Sequence, residues 1–222
     1  MFDQKALKNS MQALKGAYAV VVGLSLTQAV LRFVDRCEGD FGLRSVLRID
    51  EQFWLFVAFL MTCLGFFHGA VRHLDRYYDE KPELVRFPFL PLCDFAWLFI
   101  EGICLVILAR SLSDPNAYIQ WYLALLCVDV PWAMIAWVAT RKIRGLEPKH
   151  LVRWTIANLV AIPVLLILVF CAWCTDSLNS LGLTMGPCVL VIVVLKTTID
   201  YILSWAFYFP SETKEVRPLA SR

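Results

Sequence analysis

With 222 residues, 59% of them hydrophobic, 14% aromatic and 18% charged, the chain is too apolar for a soluble domain. A net charge of +2 with no basic block leaves nothing with which to hold nucleic acid. The apolar residues are gathered into six long runs instead of recurring at amphipathic spacing, and a run of about 20 apolar residues is the length that crosses a hydrocarbon core. What is left over is too short for a soluble domain. Residues 1–222 are therefore expected to form a single membrane domain, an all-α bundle of six transmembrane helices in a lipid bilayer.

Span one is expected at about residues 16–34, with Gln28 and Arg32 on one face near its far end. It follows Lys5, Lys8 and Lys15, but it is as long as a full span and lacks a clear A-x-A site, so it does not read as a signal peptide. Residues 41–52 place Leu43, Val46 and Leu47 at helical spacing beside Arg44 and Arg48, the pattern of a short interfacial helix. Span two, about residues 53–72, runs on into the polar segment HLDRYYDEKPE. Span three, about 89–109, has Pro88 and Pro91 near its start, where the first amides lack helical partners anyway. Asp114-Pro115 marks a turn before span four, about 117–140, in which Pro131 predicts a kink. A basic loop, 141–150, leads to span five, about 151–174, with Pro163 near its middle. Span six, about 184–208, is followed by a polar tail, 209–222. The stretches LCDFAW (92–97) and LCVDVPW (126–132) look alike, but the match is too short to argue an inverted repeat.

Lys and Arg set the expected orientation. Fifteen lie on the side of the two termini, five on the other, and Lys196 lies inside span six. Both termini are therefore expected in the cytoplasm, and the plasma (inner) membrane is the expected location. Trp205, Phe207, Tyr208 and Phe209 would then form an aromatic belt at the cytoplasmic interface.

The informative residues are the charges inside the spans. An unsolvated charge in hydrocarbon costs roughly 2.5–3.5 kcal/mol even on a lenient scale. Lys196 and Asp200 are four apart in span six, so they share a helix face that must look into protein or a wet cavity. Glu101, Asp129 and Lys196 fall near the middle of their spans, whereas His68, Asp94, Asn158 and Asp200 fall in the cytoplasmic half. Asp94 and Glu101 lie two turns apart on one face of span three, and His68, Arg72 and Asp75 are stacked on span two and its extension. Four carboxylates against one lysine is an acidic excess. The surplus must be protonated, paired with Arg72 or His68, or neutralised by a bound cation. The structural alternative is a buried pair of Lys196 with Asp200, Glu101 or Asp129 that fixes helix register.

Other chemistries are less well supplied. His68 and His73 invite haem, but axial ligation needs a second histidine on a facing helix and His150 falls in a loop. A divalent-metal site from His68, Asp94, Asp200 and Glu101 has no ligand spacing to anchor it, and no particular cofactor is implied. Cys171 and Cys174 form a C-x-x-C at the non-cytoplasmic end of span five, on the side of Cys37 and Cys188. A membrane thiol oxidoreductase would want such a pair, but a helix C-terminus disfavours the thiolate. A structural disulfide through Cys37 is the other use of these thiols. Nucleotide-binding, zinc-protease, serine-hydrolase and potassium-filter signatures are all missing from the sequence.

The leading expectation is a proton- or cation-translocating transporter or channel. Glu101 and Asp129 would carry the proton or cation, Lys196 would be the internal counter-charge, and Asp94, His68 and Asp200 would line the cytoplasmic access. The alternative is a non-catalytic membrane subunit or effector whose charged faces meet a membrane partner or further copies in a homo-oligomer.

Overall fold

The computed structural model describes residues 4–36, 48–79, 89–141, 149–174 and 184–210. Every element among them is helical. The long helices are α1 (Gln4–Asp35), α2 (Glu51–Leu74), α3 (Phe89–Arg110), α4 (Pro115–Thr140), α5 (Lys149–Cys174) and α6 (Met185–Leu203). A π-helical turn, Asp75–Asp79, extends α2, and a single turn, α7 (Trp205–Tyr208), follows α6. Six helices are long and apolar enough to cross a membrane. The interfacial helix expected at 41–52 falls mostly outside the described residues, as do Cys37 and most of the polar tail.

The first helix is longer than its apolar run. It starts at Gln4, not near residue 16, because Met11, Leu14, Tyr18, Val22, Ser25, Ala29 and Phe33 continue one buried stripe at three- and four-residue spacing. Lys15 ties this polar first half to the π turn through a 2.6 Å ion pair with Asp75. Helices α4 and α5 continue through Pro131 and Pro163.

The starts of α2, α4 and α6 are served by acidic side chains. Asp114 accepts the Asn116 and Ala117 amides, with Pro115 as the first residue of α4. Asp50 accepts the Phe53 amide and also meets Arg36 at 2.5 Å and Arg48 at 2.9 Å. Thr184 precedes α6 without a side-chain cap. Glu51 of α2 takes that role across the helix pair and accepts the Gly186 amide at 2.5 Å.

Neighbouring helices close into a ring in the order α1, α3, α4, α5, α6, α2 and back to α1. Gly102 lets α1 approach α3, since a Cβ there would meet Val21 at 2.6 Å. Exposed apolar side chains cover the outside, for example Phe95 and Phe99 on α3, Ile167 and Phe170 on α5, and Leu195 and Ile202 on α6. Inside, the half of the ring away from the termini is packed mainly with apolar side chains. Leu55, Phe59, Leu105, Leu108, Ile119, Leu125, Val189 and Val193 are all fully buried there.

The end of α6 departs from the aromatic belt read from the sequence. The helix stops at Ser204, and α7 turns Phe207 and Tyr208 into the bundle, leaving Trp205 and Phe209 exposed. Two carbonyls freed by this break are taken by arginines: Arg153 donates to Leu203 and Arg72 donates to Phe207 at 3.1 Å.

Two outcomes follow from these contacts. A Cβ at Gly186 would sit 2.8 Å from the Glu51 carbonyl oxygen. That is main chain and cannot swing away, so Gly186→Ala should cost about 1–3 kcal/mol in unfolding measured in detergent. At Asp50 burial alone would raise the carboxyl pKa, but the Phe53 amide, the Arg48 contact and the Arg36 charge outweigh it and hold it below its ordinary 3.8. The stabilisation is present above that value and is lost as pH falls through the lowered one. The thermal-midpoint advantage of wild type over Asp50→Asn should thus be constant near neutrality and shrink below pH 3.8.

Candidate functional site

Four of the six charged or titratable side chains singled out in the sequence come together in the middle of the ring. Glu101 from α3, Asp129 from α4, and Lys196 and Asp200 from α6 line one cavity of ≈ 40 Å³. That is room for about three water molecules. Thr62 and Phe66 from α2, Tyr122 and Trp132 from α4, Trp154 and Asn158 from α5, and Tyr208 from α7 complete the walls. The sequence assigns these positions to spans but cannot say which faces meet.

Each carboxylate is held by a donor from another part of the chain. The Tyr18 hydroxyl of α1 donates to Glu101 Oε1 at 2.7 Å. The Asn158 side-chain amide donates to Asp129 Oδ2. Asp200 Oδ2 accepts the Tyr208 hydroxyl at 2.6 Å, and that hydroxyl in turn accepts the Trp154 indole N–H at 3.0 Å. Asp200 Oδ1 accepts Ser204 Oγ at 3.5 Å. Lys196 is arranged differently. Its Nζ lies 5.1 Å from the Phe66 ring centroid, and among the described residues no carboxylate oxygen comes within the 4.0 Å of an ion pair. The register-fixing contact pair is therefore not what is found. Lys196 and the carboxylates instead line one cavity without an ion-pair contact.

Asp94 and His68 do not line it. Asp94 accepts the Tyr78 hydroxyl at 2.6 Å and the Trp132 indole N–H at 2.9 Å, with His73 Nε2 at 3.6 Å. The π turn supplies Tyr78, and Trp132 forms the wall between Asp94 and the cavity. The His68 ring shares a 2.8 Å hydrogen bond with the Tyr201 hydroxyl and packs 4.9 Å from the Tyr208 ring. His150 is not in a loop as read from the sequence. It is buried in the first turn of α5, its ring stacked 4.0 Å from that of Phe207.

Tyr18, Trp132, Trp154 and Tyr208 do not stand out in the sequence as site residues. An aromatic near a span end reads equally well as an interfacial anchor. Asn158 does leave a signal, as a lone amide inside an apolar run. Among the described residues no group of three His, Cys, Asp or Glu side chains is arranged to hold a metal ion. Cys171 lies at the far end of α5, Cys188 carries a free thiol, and the side chain of Cys174 falls outside the described residues.

The chain matches no protein-family model, no curated protein and no solved structure in sequence or fold comparison. The site is therefore interpreted from its own geometry.

The dependence of Glu101 on α1 can be measured. Tyr18→Phe removes the donor and leaves a buried carboxyl group short of a partner. It should lower stability in detergent by about 1–3 kcal/mol, whereas an unchanged unfolding midpoint would show that the bond contributes nothing.

Proposed function

We propose that this protein moves protons or small cations across a membrane, using the central cavity as its binding site. The observation that carries the reading is the cavity itself, in which Glu101, Asp129, Lys196 and Asp200 share one small space without a direct lysine–carboxylate contact. Ionisable side chains placed there at the cost of desolvation are a general mark of ion and proton pathways. Glu101 and Asp129 are the carrying groups in this reading, and Lys196 is their counter-charge.

The two halves of the interior favour a carrier over an open channel. Toward the termini the cavity adjoins hydrogen-bonded side chains, Asp200–Tyr208–Trp154 on one flank and Trp132–Asp94–Tyr78 on the other. Away from the termini, fully buried leucines, Phe59, Tyr118 and Ile119 fill the interior. The fifteen-to-five excess of Lys and Arg supports a cytoplasmic location for both termini, in a plasma (inner) membrane on this reading. The alternative, assembly through charged faces, draws less support, because Glu101, Asp129 and Asp94 are buried within the bundle and the outer faces of α3, α5 and α6 are apolar.

The test is flux in proteoliposomes with a pH-sensitive dye inside and an imposed proton or potassium gradient. Wild type should conduct, and Glu101→Gln should lose about tenfold or more while eluting and melting like wild type. Equal flux in the two proteins removes Glu101 from the pathway. No flux from well-folded wild type removes translocation altogether.

A further inference from the structure

The hydrogen-bonding capacity left open in the cavity points to a class of ligand. Glu101 has one oxygen engaged by Tyr18, and its Oε2 accepts nothing from the described residues. Asp129 has Oδ2 engaged by Asn158, and its Oδ1 likewise accepts nothing. Asn158 is 1% exposed, and its own Oδ1 is buried without a partner. Asp200, by contrast, has donors on both oxygens. The cavity thus presents acceptors on α3, α4 and α5. Against them stands the Lys196 ammonium, a donor with no acceptor of its own among the described residues.

We infer that the cavity binds a small zwitterion of the α-amino acid type, its ammonium toward Glu101, Asp129 and Asn158 and its carboxylate toward Lys196. This rests on reading the cavity as a functional site, and it narrows that site to a substrate class. An ammonium group brings three N–H donors to the three open acceptors, and a carboxylate brings the acceptor that Lys196 lacks. A simple cation would satisfy the acceptors but bring Lys196 no acceptor. A simple anion would satisfy Lys196 but face two carboxylates. A ligand carrying both groups serves the open acceptors and Lys196 together. Space of ≈ 40 Å³ favours a ligand as small as glycine or alanine. Phe66 and Trp132 offer an apolar and π-rich wall to its methylene or methyl group. Buried polar groups that a wrong ligand leaves unpaired are what make such a site selective.

The test is equilibrium binding to the full chain in lipid nanodiscs with three probes: glycine, methylammonium and acetate. Glycine should bind saturably, and the two single-charge probes should each bind about tenfold or more weakly. Lys196→Met and Asp129→Asn should each weaken glycine to a similar degree at unchanged elution volume. The wild-type comparison of probes requires no variant to fold. Methylammonium binding as tightly as glycine would overturn the inference in favour of a cation site. No glycine binding by folded wild type at millimolar concentration would overturn it outright. The two readings separate cleanly. Proton flux without glycine binding sinks only the zwitterion site, and glycine binding without proton flux sinks only proton translocation.

Discussion

Lys196 sits seven residues before the end of α6, about 10 Å along the axis at 1.5 Å per residue. Its side chain is too short to carry the ammonium to either water interface from there, so the bundle has to solvate the charge from within. Much of the interior follows from that requirement. Carboxylates from α3, α4 and α6 gather around the same space, Thr197 and Asn158 join them, and the Phe66 ring offers its face to the ammonium. Once one helix brings a charge to mid-depth, its neighbours must turn polar faces toward it, because hydrocarbon offers no substitute.

The residues that hold these charges in place are largely aromatic. Tyr18, Tyr78, Tyr208, Trp132 and Trp154 each bury a large apolar ring and place one N–H or O–H on a carboxylate or on the group that serves it. That division of labour suits a membrane interior, where a side chain must be greasy over most of its surface and polar at one atom. It also explains why α7 folds back. A break at Ser204 frees the chain to bring Tyr208 to Asp200 and Phe207 to His150, and the arginines of α2 and α5 take up the carbonyls that the break exposes.

The interior is asymmetric along the helix axes. The half away from the termini packs aliphatic side chains and Phe59, and the half near the termini packs hydrogen-bonded rings with His73, His150 and Asp94 buried among them. On the transport reading proposed above, opening the site to the opposite side requires the apolar half to rearrange. Gly186 and Gly102, where α6 meets α2 and α3 meets α1, are close-packed points where such a movement would be felt.

The number of membrane-length apolar helices was determined by the sequence alone, as was the need for partners around the charges inside them. Each depends on counting apolar residues along one chain and on the cost of burying charge. The i, i+4 spacing of Lys196 and Asp200 was enough to require a shared inward face. Contacts between spans were decided only by tertiary structure, because a helix face carries no address for its neighbour. Nothing in the run of residues around Tyr18 announces that its hydroxyl reaches Glu101 of α3. The Phe207–Tyr208 pair reads as interfacial until α7 turns it inward, and the first half of α1 reads as a polar lead until its buried stripe is seen against its neighbours. Periodicity reports what must be hidden; only the packed ring decides what hides it.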